Sequence, residues 1–209
     1  MHTPEEFKVK WNAGIESFEE DGEIISIGKL VQCEHEELEL LGIQSDLSNF
    51  LTNIGLPDSA APFMSFEEIA RNGLSKVYDV WGTKSDYSTE DISRLDNYLV
   101  IGSDGAGNPL VIDIKNDCKV LHLEHEDLFK TVTFVNSSVF NLAEFLLEVR
   151  SLISEFNRLS LERDENDQIP ARFKDASIAK LKKIDAKATV EGGVIPPFLT
   201  KIKSRGLCS

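Results

Sequence analysis

The sequence predicts an α+β fold: a mostly antiparallel sheet of about five or six strands flanked by helices. Three observations carry this expectation. Residues 98–135 hold four β-prone apolar runs that follow one another as a meander, separated by turn chemistry. Directly after them, Leu142, Phe145, Val149, Leu152 and Phe156 recur at spacings of three and four, one face of a helix. The N-terminal segment carries helix-start signals of its own.

In chain order, Thr3 is placed to cap a first helix, with Pro4 in its first turn and Glu6 completing a capping box. Phe7 and Trp11, four apart, share its buried side. Residues 19–23, Glu-Glu-Asp-Gly-Glu, read as a turn, because Gly22 tolerates positive φ among acids that gain nothing from packing. From Glu36 to Ile54 the apolar positions predict a short segment and then a helix capped at Ser45. Gly55-Leu-Pro57 ends it, with Gly at the cap and Pro beyond. Pro62 to Ile69 fits strand or loop equally. Ser75 to Trp81 alternates and is β-prone, which predicts a strand, and Thr83 to Arg94 is polar, which predicts a long surface loop.

The meander comprises Tyr98–Gly102, Leu110–Ile114, Lys119–Leu123 and Thr131–Val135. Leu110, Ile112 and Ile114 alternate with Val111 and Asp113, the pattern of a sheet with one buried face. Ser138 or Asn141 is the expected cap of the long helix, and Leu146 and Ile153 widen its stripe. Residues 162–168 form a charged hinge without apolar content. Ser177 to Ala188 predicts a short helix with Ile178, Leu181 and Ile184 on one side, and Gly192 to Pro197 breaks structure.

Composition excludes several classes. With 36 acidic against 22 basic residues, the formal net charge is −14. A phosphate backbone or an anionic membrane would be repelled, so the expectation is no nucleic acid and no membrane, whereas a basic protein partner fits the sign. The charge is uneven: residues 1–40 hold three lysines against eleven acids, and residues 174–209 hold eight basic residues against three acids. The basic tail either lies on the acidic body or binds separately. Three scattered cysteines, Cys33, Cys118 and Cys208, do not make a disulfide framework. No apolar run is long enough for a bilayer and the N-terminus lacks a secretory pattern, so a cytoplasmic location is expected.

Gly55-Leu-Pro57 after an amphipathic segment, Tyr98-Leu-Val-Ile-Gly-Ser-Asp104 and Val111-Ile-Asp113 resemble the SUKH superfamily. Val135-Asn-Ser-Ser138, running straight into an apolar helix, resembles its fourth immunity family. The resemblance covers residues 45–157 of an expected single domain, 1–209, leaving 158–209 as charged hinge and basic extension. It implies a cytoplasmic immunity protein that binds and neutralises a secreted polymorphic toxin, often a nuclease or nucleic-acid deaminase. The superfamily also contains a yeast regulator of cell-wall synthesis, so a regulatory interaction module without a toxin is the alternative.

Catalytic and cofactor patterns fail on context. The Gly-rich stretch Gly102 to Asn108 is followed by Pro109 and a strand, and lacks the Lys and helix of a phosphate loop; it is a hairpin turn. Cys118, His122 and His125 lie close in sequence, but zinc needs a fourth convergent ligand, and His35 is distant. Exposed histidines are expected instead. No Gly-x-Ser-x-Gly elbow occurs and no nucleophile has an assigned base, so neither catalysis nor a cofactor is expected. The expectation is binding by occlusion. Acids in loops, Asp86, Asp91, Asp104, Glu124, Glu126 and Asp127, would meet a basic face of the partner. Trp81, before Gly82 and a polar loop, is either a half-exposed anchor for that contact or a core residue beneath the loop.

Overall fold

The computed structural model describes residues 2–20, 23–34, 38, 41–61, 64–159, 161 and 170–190. Helix α1 (Pro4–Asn12) starts as its sequence predicts. Thr3 Oγ1 accepts the Glu6 amide at 3.2 Å, and the Glu6 carboxylate accepts the Thr3 amide at 2.8 Å. Phe7 and Trp11 are buried, and the Trp11 indole donates to the Gly28 carbonyl at 2.6 Å. Strands β1 (Glu16–Glu20) and β2 (Glu23–Ile27) form an antiparallel hairpin. The middle of the expected turn, residues 21–22, lies outside the described residues.

Strand β3 (Leu30–Val31) pairs with β4 (Leu56–Pro57) across helix α2 (Ser45–Asn53). Ser45 is the first helical residue here rather than the cap, and Gln44 precedes it without a side-chain bond. The chain leaves α2 through Gly55 at φ 81°, where a Cβ would lie 1.9 Å from the Val31 carbonyl oxygen. Only glycine fits there.

Strands β5 (Ser59–Ala60), β6 (Met64–Ser65) and β7 (Ser75–Lys76) join a sheet with β8 (Tyr98–Asp104), β9 (Pro109–Asp113), β10 (Lys119–Leu123) and β11 (Val132–Asn136). Helix α3 (Glu67–Asn72) connects β6 and β7. The order is β11-β10-β9-β8-β6-β5, with β7 also on β8, and every pairing is antiparallel. The four meander strands match their sequence runs to within a few residues. Helix α6 (Val139–Arg158) follows β11, capped by Ser138, whose Oγ accepts the Asn141 amide at 3.1 Å.

The expectation of one buried face is corrected. Leu99, Ile101, Leu110, Ile112, Val120 and Val135 pack with Leu142, Phe145, Val149 and Leu152 of α6 in the larger core. The alternate residues Val100, Val111, Leu121 and Leu123 are equally buried on the other face. Their cover is the segment read as strand and loop. Only Ser75–Lys76 is strand; the chain then forms α4 (Val77–Val80), a 3-10 turn (Lys84–Asp86) and α5 (Thr89–Leu95). Val77, Tyr78 and Leu95 are thereby turned onto Val100 and Val111. The demand of that second face overrides a marginal β preference.

Helix α7 (Ala171–Ile184) starts six residues before the expected Ser177, just after Pro170, and ends at Asp185. The Asp185 carboxylate is buried and accepts the Ser137 amide at 2.5 Å, the Ser137 hydroxyl at 3.1 Å and the Lys187 amide at 3.2 Å. A 3-10 turn (Lys187–Thr189) replaces the expected last helical turn. The described part of the basic tail lies on the body: Lys180 meets Glu155 at 3.0 Å and Glu148 at 3.6 Å on α6. The charged hinge, residues 162–168, and the breaking segment after Gly192 lie outside the described residues.

Candidate protein-binding surface

Two of the segments that carry the candidate acids, 81–95 and 124–131, pack on the sheet face opposite α6. Phe129 is their centre. It is buried, with Trp81 edge-on at a ring separation of 6.2 Å and Tyr87 at 6.3 Å. The Tyr87 hydroxyl donates to the Trp81 carbonyl at 2.7 Å. Trp81 is half-buried at the end of α4 and packs on the smaller core, with part of its surface left exposed. Tyr78 lies beneath, its hydroxyl donating to Asp96 at 2.6 Å. Burial, reinforced by that carboxylate, pushes the Tyr78 phenol up to about 12.

Arg94 ties the two loop regions together. Its guanidinium donates to the Phe129 carbonyl at 2.5 Å, the Leu128 carbonyl at 3.1 Å and the Asp91 carboxylate at 3.0 Å. Leu128 and Phe129 both take positive φ, 60° and 63°, a conformation that bulky side chains avoid. The result is a reversal that buries Phe129 and leaves Leu128 52% exposed.

Three of the predicted acids, Asp86, Asp91 and Asp127, take part in local caps and turns. Asp86 accepts the Thr83 amide at 2.8 Å and the Thr83 hydroxyl at 2.9 Å, and these bonds hold its carboxyl below the usual range. Ser88 caps α5 by accepting the Asp91 amide at 3.1 Å. Asp91 in turn accepts the Ser88 hydroxyl at 2.6 Å, and with the Arg94 bond this lowers its pKa. Asp127 accepts the amides of Lys130 and Thr131 at 2.9 and 3.0 Å and is likewise lowered, Thr131 contributing most. Glu126 is exposed, and Glu124 lies 3.7 Å from His125.

Asp104 organises the β8–β9 hairpin. It accepts the amides of Ala106 and Asn108 at 2.8 and 2.9 Å and the Asn108 side chain at 3.1 Å. His122 of β10 reaches the same carboxylate at 2.9 Å. Burial pushes Asp104 up, but the His122, Asn108 and Ala106 bonds outweigh it and leave the carboxyl below the usual range. The expectation of exposed histidines is corrected: His122 and His125 are half-buried, and His125 bonds through its backbone amide and Nδ1 to the Asn108 side-chain oxygen, at 3.0 and 2.7 Å. Each histidine has a separate partner across adjacent loops. Cys118 sits on the β9–β10 turn at φ 51°. Among the described residues no cluster of His, Cys, Asp and Glu converges as a metal site, and His35 and Cys208 lie outside them.

The structure thus brings Trp81 and Asp91 beside the 124–131 turn, and Asp104 beside His122 at the foot of that turn. Sequence reasoning missed Arg94, Tyr87, Leu128 and Phe129. The α5 start was detectable, since Ser88 precedes Glu90 and Asp91 with Ile92 and Leu95 three apart. Nothing local marks the reach of Arg94 to residues 34 and 35 positions later. A large open groove, about 690 Å³, lies elsewhere, among α1, α6 and α7, where Lys10, Lys180 and Lys183 mix with Glu144 and Glu148. It is not lined by any of the predicted residues.

Among the described residues no helix is long and apolar enough to cross a membrane. No curated protein and no solved structure matches the chain. The family model described as SUKH-4 immunity protein matches residues 18–193. That span contains the meander, α6, both covering layers and every candidate acid, and the chain belongs to the SUKH-4 immunity protein family.

Proposed function

We propose that this immunity protein acts in the cytoplasm by binding a basic toxin domain, a nuclease or nucleic-acid deaminase, and covering the face that takes nucleic acid. The observation that carries the reading is the gathering of acids around the 124–131 turn. Asp91, Glu124, Glu126 and Asp127 surround or flank one reversal, and Arg94 is held within it by two carbonyls and Asp91. Asp86, Asp91, Asp104 and Asp127 all titrate below the usual carboxylate range, so they are charged at neutral pH. Trp81 supplies a half-buried aromatic next to them. A field of this sign steers a basic partner and rejects a nucleic acid, while packed apolar anchors set the lifetime of the complex.

The test is binding kinetics against the toxin domain encoded beside this chain, across ionic strengths. Association should slow steeply as salt rises, with dissociation nearly constant. Glu124→Lys with Glu126→Lys should slow association by about tenfold at low salt. An on-rate indifferent to salt and to both reversals would remove the electrostatic mechanism.

A further inference from the structure

Strand β11 is the last strand at one end of the sheet. Its inner side pairs with β10, with Thr133 opposite His122 and Val132 opposite Leu123. The Glu124 amide donates to the Thr131 carbonyl at 3.0 Å. In an antiparallel ladder this places the backbone groups of Thr131 and Thr133 toward β10. The N–H and C=O of Val132 and Phe134 then point to the outer side. Among the described strands none pairs with that side.

Free edges are ordinarily protected by lysine, proline or inward-pointing charge. The segment Val132-Thr-Phe-Val-Asn136 has none of these and consists largely of strong strand formers. Asp185 holds its far end at Ser137, and the 3-10 turn Lys187–Thr189 lies against the strand. The near end is open: Val132 is 41% exposed, and Leu128, four residues earlier, is 52% exposed. An edge whose near end no described strand pairs, with apolar side chains beside it, is a template for an added strand.

Charge decides what is added. Residues 124–130, which lead into β11, carry Glu124, Glu126 and Asp127 against Lys130 alone. A second copy would bring the same acids to the same edge, on a chain whose formal charge is −14. A basic segment is attracted instead. We propose that an extended, basic segment of the toxin domain adds to the outer edge of β11 as a further antiparallel strand, bonding to the main chain of Val132 and Phe134. This rests on the toxin-binding reading above and names the contact it uses.

Val132→Pro is the direct test. Its ring removes an outward N–H and leaves the β10 ladder intact, a position where strands tolerate proline. Val132→Thr keeps the N–H. Against the toxin domain encoded beside this chain, Val132→Pro should weaken binding by about tenfold or more, and Val132→Thr by less than about threefold. Both should melt close to the wild type. Hydrogen exchange on the wild-type complex reads the same contact without any substitution: the Val132 and Phe134 amides should slow on binding. It decides the matter if the proline variant fails to fold. Wild-type affinity in Val132→Pro, or unprotected amides in the complex, would overturn the edge contact and leave toxin binding standing. Edge protection in a concentration-dependent dimer, with no toxin present, would assign the edge to a second copy. Absence of wild-type binding would remove both proposals.

Discussion

Arg94→Ala should loosen the surface without dismantling the core. Two consecutive residues, Leu128 and Phe129, sit at φ 60° and 63°, each costing about 1–2 kcal/mol for a side chain with a Cβ. Arg94 offsets this by donating to both of their carbonyls, at 3.1 and 2.5 Å. Bonds from a charged donor contribute about 1.5–3 kcal/mol each when buried. The Arg94 side chain is 29% exposed, and water replaces part of what is lost, so a net loss of about 2–3 kcal/mol is expected. In a chain of this size that lowers Tm by roughly 5–10 °C. Arg94→Lys keeps the charge but cannot fork between two carbonyls and Asp91, and should recover less than half. Leu128→Gly, which removes one strained Cβ, should be neutral or stabilising by up to about 1 kcal/mol. Thermal melts measure the totals. Hydrogen exchange locates them, since the Phe129 amide, bonded to the Glu124 carbonyl at 2.8 Å, should lose protection in Arg94→Ala before the α6 amides do. A Tm within about 1 °C of wild type, with Phe129 still protected, would refute the claim that Arg94 holds the turn.

Two further outcomes are expected. Val149→Asp places a charge at a position of zero exposure between sheet and α6, and should cost at least about 4 kcal/mol or abolish folding, whereas Ser154→Ala on the exposed side of the same helix should be within about 0.5 kcal/mol; urea titrations that rank them the other way would overturn the helix register. Asp86, Asp91, Asp104 and Asp127 have folded pKa values below their unfolded ones, so their contribution is complete above the ordinary carboxylate value of about 3.9 and is lost as pH falls through the lower folded values. Tm should therefore drop below about pH 4, and Asp104→Asn should flatten that drop, which melts taken across acid pH will show.

The meander and α6 were legible because period and turn chemistry agree. Leu142, Phe145, Val149 and Leu152 all enter one core, and of the two caps expected, Ser138 and Asn141, Ser138 is the one used. Residues 75–95 were not legible because the deciding contact is distant. Val77 and Tyr78 suit a strand as well as a helix, and what selects the helix is the need to cover Val100, Val111 and Leu121. That need was hidden by Asp113, which made β9 look one-sided. Asp113 is itself buried, accepting the Lys115 amide at 3.1 Å and the Asn116 side chain at 2.8 Å, so its polarity marked a turn rather than a wet face. The positive φ of Leu128 and Phe129 had no local signal, since such side chains argue against it.

The acids could be chosen as loop residues, but not for the structural work most of them perform. A carboxylate that accepts neighbouring amides is both fixed in place and kept ionised. Asp86, Asp104 and Asp127 each meet that description, through Thr83, through Ala106 and Asn108, and through Lys130 and Thr131. A surface built this way presents its charge already ordered, so less freedom remains to be lost when a partner arrives. It also separates the acids into two kinds. Glu126 is exposed, and reversing it changes the field alone. Reversing Asp127 removes a turn cap as well, and the loss spreads along the chain to Thr131, next to the open end of β11. Slower association in an Asp127 variant therefore mixes lost steering with a disordered edge, and the Glu126 reversal alone reports on steering by itself, because the Glu124 carboxylate also accepts the Glu126 amide within the turn.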